Sequence, residues 1–453
     1  MPVRGVLMLA FFVASLPVCL FRPFYGILLF SVVSYLNPQA SLMYWSGAAA
    51  FPWALAVAIP TICGLLFSCS PFPQRLASRE VALIVILWVW FTITTVISTH
   101  TPVFFHHSQD TLDRWQFVSK ILLMTLVTIG IVDSFARLRV WVMVMSGCFG
   151  LIVVRSLPGI IMTGGGARIY GPDLSMVADN NDLGLALDMT LPLFFFLAQS
   201  EPTRAMRRLF GALFAVTIPA IFCTYSRGAL IGLTVILVLM FVQLKRKFVL
   251  VPIFVLAAGG ALLFAPEAWK ERMNPSQGLD SSARERLNAW TFSWDLVKDY
   301  PVFGGGFSTF TPELFAKYAP VAEDVKGPHS VYFGVLAEHG FPGLALYLTL
   351  AASCLVKLLR LVKYARIYGD ETVAAYVHMF EFSIIAFLVS GCFLGRAYFD
   401  YFFAMVACVV ILDQLARKSW ASTDEDATGD EGQSDAVEET PLVCDGMAGM
   451  EKA

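Results

Sequence analysis

Apolar runs recur along nearly the whole chain, separated by short polar connections. Val81–Ser98, Gly211–Tyr225, Ala229–Leu244 and Phe341–Val356 are examples. Each is near the roughly 20 residues that an α-helix needs to cross a hydrocarbon core. The pattern predicts an all-α polytopic membrane protein.

One long polar excursion, Ala265–Pro328, interrupts it. Trp269, Trp290, Trp294 and several helix-compatible turns predict that this loop folds as a small helical cap. The chain re-enters the apolar regime at Gly327–Gly343, where His329, Glu338 and His339 stand among apolar neighbours. Ionisable groups are costly there and so become candidates for function. Beyond Trp420, the stretch Asp424–Glu439 is acidic and poor in bulky apolar residues, a composition that cannot bury a core and predicts disorder. The expected organisation is a transmembrane bundle over 1–264, a cap over 265–328, further transmembrane helices over 329–416 and an acidic disordered tail over 417–453. No fixed-period repeat is present.

Basic residues give the topology. Arg75/Arg79, Arg137/Arg139, Arg204/Arg207/Arg208, Lys245/Arg246/Lys247, Lys357/Arg360/Lys363/Arg366 and Arg417/Lys418 mark cytoplasmic connections. The basic-poor connections Asn37–Ala50, Thr99–Trp115, Pro158–Asp182 and Ser226–Gly228 then lie outside, together with the cap. Only the start leaves a choice. Gly5–Phe21 and Tyr25–Leu36 form either two segments or one span broken at Arg22-Pro23, and parity favours one crossing with Arg4 inside. Arg22-Pro23-Phe24 is a poor cleavage site, so Gly5–Phe21 reads as a retained segment rather than a signal peptide. The expectation is about twelve transmembrane helices by the span-length rule, with both termini cytoplasmic.

Composition agrees, because 15% charged residues is well below the roughly 25% of a soluble domain. Net charge of −2 conceals basic loops and an acidic tail, and no feature points to nucleic acid. All cysteines but Cys444 lie within or beside apolar segments, which argues against a disulfide framework or metal-ligand spacing.

On this topology several arginines converge on the outer face. Arg227, in the tight connection Thr224–Gly228, either snorkels to headgroups or meets a lipid-borne anion. Ser281–Trp290 reads as a helix start that places Arg286 and Trp290 on one face and Arg284 on another. A guanidinium against an aromatic is a packing feature and is also well presented to a phosphate. The glycine runs Gly304–Gly306 and Gly164–Gly166 suit close backbone approach to a ligand or a hinge, and lack a Walker lysine. His329 precedes Ser330, a natural N-cap for a helix from Val331, and a histidine there can act as a base near neutral pH. Glu338 and His339 form either a satisfied buried pair or part of a binding site. Arg396 and Asp400 read as an i,i+4 salt bridge or as further polar groups facing the cap. Trp115 and Asp179–Asp182 are outside too, without a signature beyond polarity.

Arginines and a histidine without a metal-ligand set suit displacement of a diphosphate from an activated, lipid-linked donor, since arginines stabilise the leaving charge. Residue chemistry alone reaches the handling of an anionic lipid on the outer face.

His329-Ser330, nine residues, then Gly340 resembles the His-(Asn/Ser/Gln)-x9-Gly signature of bacterial O-antigen ligases. Tyr225–Ala229 resembles that family's arginine motif, and Arg286-Leu-x-x-Trp290 followed by Tyr300–Gly304 resembles the start of its periplasmic domain. The likeness covers roughly Leu183–Leu415. The N-terminal Arg22–Phe30 and Tyr35–Pro38 also resemble a related branch, the O-glycosylation ligases that accompany exosortase systems. The resemblance implies a GT-C-like, metal-independent, inverting glycosyltransferase of the bacterial inner membrane that needs no cofactor. It would move O-antigen from undecaprenyl diphosphate to a sugar hydroxyl of lipid A–core on the periplasmic face. It further implies that Arg227 and Arg286 bind diphosphate, that His329 acts as base or orients the acceptor, and that Asp400 matches a further family acid. Arg284, Arg396, Asp400, Glu338 and His339 remain substrate-binding candidates. An O-antigen polymerase, a protein O-glycosylation ligase and a lipid-linked glycan transporter are the alternatives. A transporter predicts polar residues at mid-depth, whereas here they gather on one outer face.

Overall fold

The computed structural model of the chain describes residues 3–42, 51–67, 75–243 and 281–434. Among them every regular element is helical. Eight helices have the length and composition to cross a membrane, and Pro23–Leu36, Trp53–Phe67 and Arg227–Val242 are apolar but shorter. The all-α membrane class therefore holds, while the eight full-length helices compare with an expectation of about twelve spans. The basic loop Lys245–Lys247, Trp269 and the first part of the cap lie outside the described residues.

The chain begins with α1 (Val3–Phe21) and α2 (Pro23–Leu36), joined at Arg22. Phe12 of α1 and Val33 of α2, about equally far from Arg22 in sequence, meet in one cluster with Trp53. The chain therefore folds back at Arg22, with Pro23 starting α2 where its missing N–H costs nothing. Two helices lying against each other replace the expected single broken span, and Val3 lies at the end opposite Arg22. After the short α3 (Pro38–Leu42), α4 (Trp53–Phe67) closes this hairpin. Phe12 stacks on Trp53, with ring centroids 4.8 Å apart.

The central helices are α5 (Arg79–His100), α6 (Ser108–Ile131), α7 (Phe135–Met162), α8 (Asn180–Ser200), α9 (Arg204–Cys223) and α10 (Arg227–Gln243). The stretch expected to form the cap contributes α11 (Ser281–Asp299) and α12 (Pro312–Tyr318). The chain then forms α13 (Val331–Ile367), α14 (Glu371–Ser390) and α15 (Asp400–Ser434). Residues 182–194 of α8 and 400–413 of α15 are buried on every side. A helix apolar all round belongs in the middle of a bundle, and these two form its centre. α15 continues to Ser434, so the start of the tail expected to be disordered extends an anchored helix, where each added residue gains a hydrogen bond without a new nucleus.

Connections expected on one side meet at one end of the bundle. There Arg75 donates to the Gly130 carbonyl at 3.0 Å and Gln414 donates to the Arg75 carbonyl at 2.6 Å. Arg139 pairs with Glu201, and Lys357 lies 2.7 Å from Glu80 and 2.8 Å from Asp413. The connections expected on the other side meet at the opposite end. There Asn37 donates to the Asp173 carbonyl at 2.7 Å and Ser98 to the Gly305 carbonyl at 2.6 Å. That second end carries the candidate site.

α13 is not one straight helix. Gly340 takes φ 67°, ψ −172°, a left-handed-side conformation open to glycine, and splits it into a short helix 331–339 and a long one from 341. A helix end leaves carbonyls without intrahelical partners. Here Gly305 N–H donates to the Ala337 carbonyl at 2.8 Å, Gly306 N–H to Glu338 at 2.9 Å, and Trp90 Nε1 to His339 at 3.0 Å. The Gly304–Gly306 run therefore caps the short helix, which is a structural task rather than phosphate binding. A Cβ at Gly304 would lie 2.6 Å from the Ala337 carbonyl oxygen, so close approach explains the glycine.

Candidate functional site

His329 precedes the short helix and sits half-buried with φ 43°, a value uncommon for any residue but glycine and enriched in histidine, asparagine and aspartate. Its neighbours fix it. Trp290 of α11 donates Nε1–H to the Pro328 carbonyl at 2.8 Å and stacks on Phe333, with ring centroids 5.1 Å apart. Val331 N–H donates to the Gly391 carbonyl at 2.8 Å. A Cβ on Gly395 would lie 3.2 Å from the His329 nitrogen, so the 391–399 loop packs against the histidine backbone. Ser330 is buried at the N-cap position expected, but its hydroxyl makes no capping bond.

Burial holds the His329 imidazole below its ordinary pKa. The positive charge of Arg286 acts in the same direction, as do Lys326 and Arg396, while Asp179 opposes them. Both effects favour the neutral form of the ring, which has a nitrogen able to accept a proton.

Arg286, Arg396 and His329 thus share one electrostatic neighbourhood. Arg227 starts α10, and a Cβ on the adjacent Gly228 would stand 3.1 Å from Phe393 Cβ, against the same loop that packs on His329. Arg284 is exposed on α11, two residues from Arg286 and hence on another face.

Arg396 does not form the expected i,i+4 bridge with Asp400. The 391–399 segment is a loop, and Arg396 pairs with Asp182 of α8 at 2.5 Å. Asp400 is buried at the start of α15 and accepts a hydrogen bond from Ser34 of α2.

The Asp179–Asp182 run has a larger role than its polarity suggested. Asp179 caps α8 through Asn181 N–H at 2.8 Å and contributes negative charge at His329. Asn180 is buried and donates to the Thr224 carbonyl at 2.7 Å, which secures the turn before Arg227. The available signal was a dense polar run at the start of a largely apolar helix.

Glu338 and His339 occupy the other end of the short helix, about 13 Å from His329 at 1.5 Å rise per residue. They are not a mutually satisfied pair. Glu338 accepts from Ser308 N–H at 3.0 Å and from the Tyr398 hydroxyl at 2.5 Å. His339 meets Thr94 Oγ1 at 2.7 Å and stacks on Phe91, with centroids 4.1 Å apart. Both are buried.

The helices of membrane length thus bring His329, Arg286 and Arg396 into one neighbourhood at one end of the bundle. Residues 212–348 match the family model described as O-antigen ligase, and residues 3–199 match a family of unknown function (DUF5935). The first of these segments is therefore similar to the O-antigen ligase family, whose members are membrane glycosyltransferase-like ligases and polymerases. Arg227, Arg286, His329 and Gly340 fall within the matched segment, and Arg396 and Asp400 beyond it. No curated protein matches the chain.

Proposed function

We propose that the protein is an O-antigen ligase. In this reading it transfers O-antigen from undecaprenyl diphosphate to a sugar hydroxyl of lipid A–core at the periplasmic face of the bacterial inner membrane. The observation that carries the reading is the half-buried His329 in the electrostatic neighbourhood of Arg286, both within the segment that matches the O-antigen ligase family.

Arg227 and Arg286 hold the donor diphosphate, where guanidinium groups grip phosphate oxygens with two parallel hydrogen bonds. His329 accepts the proton of the acceptor hydroxyl as its oxygen attacks the anomeric carbon. The bond from that carbon to the diphosphate oxygen breaks, and the configuration inverts. The leaving lipid diphosphate carries the departing electron pair, and the fixed arginines stabilise its charge. Trp290 positions His329 through the Pro328 carbonyl.

Transport is less well supported. The acid deep in α8, Asp188, is fully buried, accepts from Ser390 Oγ at 2.7 Å and is closed in by Gly232 rather than facing an open path. The deciding experiment is reconstitution with lipid-linked glycan, offering lipid A–core, a second lipid-linked glycan or a peptide in separate reactions. Product on lipid A–core is expected. Product only on the glycan or the peptide would reassign the protein as a polymerase or a protein ligase, and none with any acceptor would favour transport.

A further inference from the structure

The loop 163–179 joins α7 to α8 and is tied at both ends to the parts that make the site. Near its start, Tyr225 Oη lies 3.0 Å from the Gly165 carbonyl and 3.2 Å from that of Gly166, and Ile169 N–H donates to the Cys223 carbonyl at 3.0 Å. Just beyond its end, Asn180 binds the Thr224 carbonyl, while Asp179 places its charge at His329. The loop thus runs from the turn that precedes Arg227 to the neighbourhood of His329.

Tyr225 is central to this arrangement. It is buried, yet it holds φ 58°, a conformation that is a genuine outlier for a bulky side chain. The Arg168 guanidinium lies over its ring, 5.6 Å from the centroid. Cation–π contact at that range keeps a guanidinium flat while leaving its N–H edges available. Arg168 is the single basic residue of 163–179, is exposed, and among the described residues has no carboxylate within ion-pair distance. Arg227 stands two residues from the tyrosine that holds it. One cation over a buried ring, with a second two residues along the chain, suits the binding of an anion at this face of the bundle.

We propose that Arg168 is a further binding residue for the diphosphate of the lipid-linked donor, presented by the 163–179 loop and positioned by Tyr225. The proposal rests on the donor-site reading above, and the loop itself then forms one wall of that site. Tyr225 acts through Arg168 and is a positioning residue.

The test uses the purified full chain in nanodiscs, with binding of undecaprenyl diphosphate measured over a series of salt concentrations and undecaprenol as the phosphate-free comparator. Arg168→Ala is expected to weaken diphosphate binding by about tenfold, the effect of losing a charge-assisted contact, and to make its salt dependence shallower. Undecaprenol binding should not change. Tyr225→Phe keeps the ring but loses the hydroxyl contacts to the loop, so a smaller, few-fold loss is expected. If Arg168→Ala lowers the melting temperature, Arg168→Gln, which keeps much of the chain length, replaces it in the same assay. Wild-type affinity in the arginine variant, or weaker binding with an unchanged salt dependence, would overturn the proposal. The two readings fail differently. If wild type binds the diphosphate no better than undecaprenol, the donor-site reading falls. If Arg227→Ala weakens binding while Arg168→Ala does not, only the role of Arg168 falls.

Discussion

The two ends of the short helix 331–339 carry a histidine each, in opposite environments. At the entrance, His329 has a left-handed backbone, is half-buried and lies among Arg286, Lys326, Arg396 and Asp179. At the exit, His339 is fully buried between Phe91 and Phe307, with one ring nitrogen on Thr94. Neighbouring Glu338 already accepts two hydrogen bonds. The first end gathers charges and leaves the ring accessible. The second satisfies most of its polar groups internally and seals them. A costly ionisable residue near a membrane therefore has two uses, chemistry and anchoring, and its neighbours separate them.

The comparison can be broken most sharply by changing the histidines. His329→Ala should lower transfer by about 100- to 10,000-fold, the range of a lost general base, with little change in melting temperature. His339→Ala should instead destabilise the fold by roughly 3 kcal/mol, as for an aromatic deleted from a core, while the folded fraction still transfers glycan. A thermal-shift assay and a transfer assay on the same preparations separate the two.

Arg286→Ala tests the electrostatic side of the entrance. Its loss should reduce kcat/KM for the lipid-linked donor by about 10- to 100-fold, through a missing charge-assisted contact to phosphate. Steady-state kinetics in proteoliposomes read this directly.

Gly340→Ala probes the exit. An alanine would have to hold the positive φ of Gly340 and would drive a Cβ into the Val302 carbonyl, so a stability loss of roughly 1–3 kcal/mol is expected by chemical denaturation. The smallest effect belongs to Trp290→Phe, which keeps the stack on Phe333 and loses one hydrogen bond worth about 1 kcal/mol. A few-fold fall in kcat with unchanged donor KM is expected from kinetics.

The apolar pattern was enough to read the helices and the class, and the helix start at Val331 was legible from Pro328-His329-Ser330. The pairings were less accessible. Arg396 and Asp400 are four apart, but that spacing implies a bridge only within a helix, and the intervening chain is a loop. The glycine run 304–306 reads as a hinge or cradle until the break at Gly340 exposes the carbonyls that it caps. Asp182 became interpretable only when α8 met the 391–399 loop, a contact distant in sequence. At the start, proline marks an interruption at Arg22-Pro23 but not the direction in which the chain continues. The meeting of Phe12 with Val33 supplies it.

The central claim is that His329 works as a base whose pKa is held down by burial and, next, by the Arg286 cation. Its most direct test is kcat/KM against pH for wild type and Arg286→Ala, because this ratio reports groups in the free enzyme. Protonation of a base whose pKa lies below the ordinary 6.5 should place the wild-type acid limb below that value, with activity lost as pH falls through it. Removing the Arg286 cation should move the limb upward. A wild-type profile without an acid limb, or a limb that Arg286→Ala leaves in place, would contradict the claim.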